Sequence, residues 1–198
     1  MKASSLDARL LRLMRSTGHT PAAERAVARF SRLGEHGALW LAIGACGLIA
    51  DPQRRSRWGR ALASVVNAYV LNTVLKLICR RRRPTLEGLP PLASTPTQLS
   101  FPSAHTTTAF AGALCYSRLG LPRVPLYGLA TATALSRPYL GLHYPSDVLA
   151  GAALGTAVAA ALEIAGGTGE EPAALAQGSG IDRLGPDCAD GASGGESR

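Results

Sequence analysis

Charge is scarce in this sequence. Asp, Glu, Lys and Arg make up 17% of its 198 residues, against roughly 25% in an ordinary soluble domain. What charge there is comes in clusters, and apart from site residues the segments 36–50, 61–78, 104–117 and 148–162 are almost free of it. That depletion excludes a charge-coated surface over most of the chain and is the pattern of membrane spans. Cysteines are few and show no paired spacing. Cys46, Cys79 and Cys115 lie in or beside apolar segments, and with Cys188 they make no disulfide or thiolate-metal pattern; they read as small buried hydrophobes. No cluster of carboxylates or Cys has the spacing of metal ligands, so no metal and no cofactor is expected. A net charge of +8 would suit nucleic acid. Aromatics interleaved with the basic residues are missing, however, and the spans of low polarity weigh against that partner. No nucleic acid is expected; membrane lipids with anionic headgroups are.

The length fits one domain, in three stretches. Residues 1–33 alternate apolar and basic residues at helical spacing. Thr20-Pro21 is a helix start, since Pro at the first helical position loses no needed donor. After it Ala23, Val27 and Phe30 fall on one face, with Arg25, Arg29 and Arg32 opposite. Such an amphipathic helix either lies in the headgroup layer or packs on its own domain. Residues 34–166 hold five apolar segments, at 36–50 and about 58–78, 103–119, 124–140 and 146–165. The first begins too far into the chain for a cleavable leader. Asn67 and Asn72, inside the second, read as hydrogen-bonding groups between helices. The loop 84–101 is rich in Pro, Thr and Ser, too polar for lipid. Residues 167–198 are Gly, Ala, Ser and acid without periodicity, and read as a disordered tail. The expectation is an all-α integral membrane helical bundle of about five spans, preceded by an amphipathic N-terminal helix.

Antiparallel spans joined by short loops bring three clusters to one membrane face. The first is Lys76 with the run Arg80 to Arg83 and Pro84. The second is Phe101-Pro102-Ser103-Ala104-His105. The third runs from Ser136-Arg137 to His143 and Asp147. Cations and a helix N-terminus suit a phosphate oxyanion. Ser103 stands where a helix begins, and Ser is a favoured N-cap. A His with an Asp four residues on suits a nucleophile and the group that orients it. Singly each piece is weak; the ordered set on one face carries the reading of a phosphate-transfer site within a membrane.

The set resembles the type 2 phosphatidic acid phosphatase superfamily, the lipid phosphate phosphatases, whose signature is K-x6-R-P, P-S-G-H and S-R-x5-H-x3-D. Lys76, Arg83 and Pro84 fit the first part, and Ser136, Arg137, His143 and Asp147 the third. Pro102, Ser103 and His105 fit the second, with Ala104 in place of the Gly; Ala keeps the amide that faces phosphate and narrows only the backbone choices. The resemblance implies that His143 attacks phosphorus while Asp147 holds its ring, and that His105 protonates the leaving alkoxide. Lys76, Arg83, Ser103, Arg137 and the Ala104 amide would bind the phosphoryl oxygens. Arg80, Arg81 and Arg82 fall in the variable part of the motif and stay outside the core site.

Gly34-Glu35-His36, the stretch 95–105 and the stretch 140–147 further resemble the small actinobacterial decaprenylphosphoryl phosphoribose phosphatases, which remove the 5-phosphate from a polyprenyl-linked ribose. The implied substrate is a lipid-linked phosphate. Within the same fold the alternatives are phosphatidylglycerol phosphate, phosphatidic acid or a polyprenyl diphosphate. A vanadium haloperoxidase of related fold would be large and soluble, and a non-catalytic membrane scaffold would not need His143 and Asp147 intact.

Counting spans puts residues 1–35, 79–103 and 138–147 on one face of the cell membrane, with the turns 51–57 and 118–124 on the other. The site side carries Lys2, six Arg before residue 34, and Arg80 to Arg83, so the positive-inside tally leans to a cytoplasmic site. Single probes at Thr95→Cys and Gln53→Cys, in a background lacking the four native Cys, test this. An impermeant maleimide applied to intact cells should label the Gln53→Cys protein and spare the Thr95→Cys protein; the opposite pattern reverses the assignment.

Overall fold

The structure, a computed structural model, describes residues 4–167. The expected tail therefore lies, past Gly167, outside the described residues, as does Cys188. Among the described residues seven α-helices follow one another: α1 (Ser5–Ser16), α2 (Pro21–Leu33), α3 (Ala38–Ala50), α4 (Arg55–Cys79), α5 (Ala104–Arg118), α6 (Arg123–Tyr139) and α7 (Pro145–Gly167). Short 3₁₀ turns at Glu35–Gly37 and Pro52–Arg54 join α2 to α3 and α3 to α4. Among the described residues there is no strand, and one antiparallel bridge ties Arg82 to Leu99. The protein is an all-α membrane bundle.

Local sequence sets the ends of these helices. The Thr20 hydroxyl accepts a hydrogen bond from the Ala23 N–H, with Pro21 in the first turn of α2. Ser4 does the same for α1 through the Asp7 N–H. Helices α3 to α7 occupy the five apolar segments. By length and apolar content Pro52–Cys79 and Pro145–Ile164 each suffice to cross a membrane, and α2 with the segment to Ala50 forms a third candidate bent by 44°. Helices α5 and α6, of 15 and 17 residues, fall short of the roughly 20 that a lone span needs.

Helix α5 is the centre of the bundle, packed against α3, α4, α6 and α7. It is buried on nearly every side, as expected of a helix with little amphipathic pattern. Gly112 lets Trp40 of α3 lie against its backbone. The Tyr116 hydroxyl donates to the Trp40 carbonyl at 2.7 Å. Asn72 of α4 donates to Thr107 at 2.9 Å, an interhelical bond of the kind its position indicates. Asn67, by contrast, is exposed, on the side of α4 that also presents Val66, Val70 and Val74 outward. An apolar outer wall of this kind belongs against lipid.

The two ends of the bundle are pinned separately. At one, Arg54 donates to the Leu119 carbonyl at 2.9 Å, joining the turns after α3 and α5. At the other, Arg83 reaches the Leu142 carbonyl at 2.7 Å and the Leu92 N–H reaches the Leu140 carbonyl at 3.0 Å. Helix α1 closes over this second end. It buries Asp7, Leu11 and Arg15 and leaves Leu6, Leu10 and Leu13 exposed. One side of α1 thus packs on its own domain and the other exposes apolar residues.

Helices α5 and α7 approach closely at the glycines of α7. A Cβ at Gly155 would stand 2.1 Å from the Thr107 carbonyl oxygen. Gly155→Ala should therefore destabilise the protein by about 1–3 kcal/mol through overpacking. Gly59→Ala, where a Cβ meets nothing within 4 Å, should be neutral or slightly stabilising. Thermal unfolding in detergent checks the contrast.

Candidate active site

Each candidate residue sits at a helix end, where backbone groups and dipoles are free to act. Lys76 is in the last turn of α4, and Arg83 follows in the loop. Ala104 and His105 open α5, and Arg137 lies in the last turn of α6. His143 lies between α6 and α7, and Asp147 in the first turn of α7. Lys76, Arg83, Ala104, His105, Arg137 and His143 line one cavity of about 510 Å³. Ser103 and Asp147 do not line it; both are wholly buried behind it. Ser103 stands at the N-cap position but makes no side-chain cap. Its N–H donates to the Asp147 carbonyl at 3.0 Å and its hydroxyl accepts from Thr106 at 3.1 Å. It ties the start of α5 to the start of α7.

His143 is 2% exposed, and its contacts fix its tautomer. Arg83 Nη1 lies 3.1 Å from His143 Nε2. A guanidinium only donates, so Nε2 holds the lone pair and the proton of the neutral ring is on Nδ1. Nδ1 in turn faces Asp147 Oδ2 at 3.6 Å. Burial, then the charges of Arg137, Arg83 and Lys76, hold His143 well below its ordinary range, which keeps the ring neutral. Burial also lowers Arg83, to about 10, so it remains charged at neutral pH. The result is an imidazole lone pair placed among cations at the wall of a cavity.

Several residues outside the expected site set complete the site. Arg137 Nη1 donates to the Ser31 hydroxyl of α2. A Cβ at Gly34 would lie 3.0 Å from the His105 ring, so the turn after α2 presses on that ring. His36, with φ 52°, aims Nδ1 at the Tyr69 hydroxyl at 2.9 Å, and both line the cavity. Arg81, set aside with Arg80 and Arg82, is instead buried against Asp147, at 2.7 Å. The positive φ of His36 and the pairing of Ser31 with Arg137 had no sequence signal. Arg81 had only its place in a run of four Arg, which does not tell one Arg from the next.

Known proteins resemble this chain in sequence and in fold. The profile of the PAP2 superfamily matches residues 57–165. The chain belongs to that superfamily. Among related members, the decaprenylphosphoryl-5-phosphoribose phosphatase of Mycobacterium tuberculosis is 44% identical over 138 residues, covering 69% of this chain and 77% of that protein. The phosphatase of the same name from Mycolicibacterium smegmatis is 36% identical over 146 residues, 73% and 80% of the two chains. In fold, this PAP2 chain matches the crystal structure of the first transmembrane PAP2 type phosphatidylglycerolphosphate phosphatase from Bacillus subtilis. The TM-score is 0.70, with 22% identity over 83% of this chain and 86% of that one. This PAP2 member is a membrane lipid phosphatase, a phosphoric monoester hydrolase.

The tautomer and the cations around it are directly measurable. Nitrogen NMR of His143 should report the Nδ1–H form, with protonation below the ordinary 6.5. Arg83→Gln removes a cation facing the ring, so the midpoint should move upward. A wild-type midpoint at or above 6.5, or no upward movement in the variant, would contradict the electrostatics described.

Proposed function

We propose that the protein removes a phosphate from a polyprenyl-linked sugar phosphate, of the decaprenylphosphoryl-5-phosphoribose type, through a phosphohistidine at His143. The observation that carries this is the contact of Arg83 with His143 Nε2. It leaves that nitrogen unprotonated beside the cations a phosphoryl group requires.

In the proposed reaction the phosphate enters the cavity and its oxygens take up the hydrogen bonds of Lys76, Arg83, Arg137 and the Ala104 amide. Ser103 supports the Ala104 turn from behind. The Nε2 lone pair attacks phosphorus and the ester P–O bond breaks. His105, which takes up a proton from solvent when the phosphate dianion offsets the surrounding cations, gives that proton to the departing alkoxide, while Asp147 stabilises the imidazolium of His143 through Nδ1. Water, deprotonated by His105, then attacks the phosphohistidine, the P–N bond breaks, and inorganic phosphate leaves. The sugar assignment is supported by the names of the two mycobacterial relatives. Past the cations, the cavity wall also carries Glu35, His36, Tyr69 and Thr73, which suit a hydroxylated headgroup better than an acylglycerol. The mouth of the site is assigned to the cytoplasmic face on the distribution of Lys and Arg.

Phosphate release from purified lipid phosphates tests the reading. Decaprenylphosphoryl-5-phosphoribose should turn over faster than phosphatidylglycerol phosphate, phosphatidic acid or a polyprenyl diphosphate; the reverse order would replace the substrate. His143→Ala and His105→Ala should abolish turnover in folded protein. Asp147→Asn should lower it by on the order of 10⁴-fold, the scale seen when a catalytic His loses its orienting carboxylate. Turnover by His143→Ala at the wild-type rate would remove the mechanism. Activity should persist in EDTA and fall with vanadate, whose trigonal bipyramid mimics the transition state.

A further inference from the structure

The N-terminal helix reaches the catalytic pair through one buried arginine. Arg81 is 3% exposed and uses both ends of its guanidinium. Nη1 donates to Asp147 Oδ1 and to the Ser146 hydroxyl, each at 2.7 Å. Nη2 donates to Asp7 Oδ2 of α1 at 2.6 Å. Its Cζ lies 4.4 Å over the Tyr144 ring. Asp7 grips the same turn directly: Oδ1 accepts from the Ser146 N–H at 3.0 Å and Oδ2 from the Ser146 hydroxyl at 2.5 Å. Burial pushes Asp7 upward, but the hydrogen bonds from Ser146 and Arg81 outweigh it and hold the carboxyl below its usual range.

The geometry divides the oxygens of Asp147 between two tasks. Arg81 occupies Oδ1. Oδ2 accepts from the Tyr144 N–H at 2.8 Å and faces His143 Nδ1 at 3.6 Å. A carboxylate held at both oxygens cannot rotate away from the imidazole. The directed hydrogen bond from the guanidinium also offsets part of the cost of burying that carboxylate.

We propose that Arg81, anchored by Asp7 of helix α1, is a positioning residue that orients Asp147 toward His143. It acts through Asp147 and not on the substrate; among the described residues, the cavity that holds the phosphate-facing cations is not lined by Arg81 or Asp7. The inference rests on the reading of His143 as nucleophile.

The test measures kcat, KM and the Kd of inorganic phosphate for Arg81→Met, Arg81→Lys, Asp7→Asn and His143→Ala in detergent, each referred to folded protein. Networks coupled this way change rates by about tenfold to a hundredfold. Arg81→Met should lose kcat toward the upper end of that range. Arg81→Lys keeps the charge but cannot span Asp7 and Asp147 together, so it should recover part of the loss. Asp7→Asn should lose kcat toward the lower end. In all three, KM and phosphate Kd should stay within about twofold, since the phosphate-facing cations are untouched; a purely structural role would weaken phosphate binding and turnover together. If Arg81→Met fails to fold, Arg81→Lys and Asp7→Asn decide. Wild-type kcat in those two, or a parallel loss of phosphate affinity, overturns the proposal. The His143→Ala arm separates the two ideas. Turnover there rejects the nucleophile itself, whereas a dead His143→Ala beside fully active Arg81 and Asp7 variants rejects only the positioning role.

Discussion

Positive charge without a partner organises this molecule. Lys76, Arg83 and Arg137 face one cavity, and among the described residues no carboxylate forms an ion pair with any of them. Of the carboxylates nearby, Asp7 and Asp147 are both bound to Arg81, and Glu35 shares the cavity wall without forming such a pair with the three cations. Cations in a partly dry pocket repel one another and lose hydration, and several kcal/mol per ion is an ordinary penalty for that. The fold compensates with fixed dipoles. Arg83 is held by the carbonyls of Thr97 and Leu142 at 2.8 and 2.7 Å, Arg137 by the Ser31 hydroxyl, and Lys76 faces the Leu99 carbonyl at 3.4 Å. Each of these keeps the charge in place without neutralising it. A phosphate dianion is the group that would.

The rest of the architecture follows from keeping that arrangement rigid inside a bilayer. A short, almost wholly buried α5 brings its N-terminus into the cavity, and small residues let its neighbours close on it. Gly151 would place a Cβ 2.7 Å from the Ser103 carbonyl, so the residue that leads into α5 meets the second turn of α7 at its backbone. The hydrogen bond from the Ser103 N–H to the Asp147 carbonyl crosses the same gap. His143 and His105 are thus positioned by one packed seam. The apolar exterior of α4 and α7, with Leu77, Ile78, Leu149 and Ile164 outward, supplies the lipid contact and leaves the polar end free for chemistry.

How much of this was legible before the structure depended on sequence distance. The spacing from Lys76 to Arg83 and from Arg137 to Asp147 is local and survives as a motif, because helix ends and short loops fix where those residues go. The five apolar segments predict the helices α3 to α7 for the same reason, since burial leaves a compositional trace. Asn72 was legible as an interhelical donor because a polar group in an apolar helix needs a partner. Ser31 with Arg137, Asp7 with Arg81, and Arg15 with the carbonyls of Pro90 and Tyr139 were not. Each joins residues more than seventy positions apart, between a segment that reads as a surface helix and either a loop or the last turn of α6. No periodicity encodes such a pairing. Ser103 shows the converse limit: its position as N-cap was legible, but its hydroxyl faces Thr106 and not the helix amides.

Ala104 shows which part of a motif the physics requires. The superfamily pattern carries Gly at this position, and a Gly can signal either an unusual backbone angle or a close approach. Here the residue is the first of α5 and shows no positive φ, so an L side chain fits the backbone without strain. Its methyl stands at the cavity wall beside His105, and its N–H belongs to the first turn, whose amides have no intrahelical acceptor. The function attributed to that position is an amide aimed at an oxyanion at a helix N-terminus. Ala supplies it as well as Gly does, and restricts the turn that carries His105 more tightly. The departure from the pattern therefore narrows the backbone choices of the turn without removing its amide.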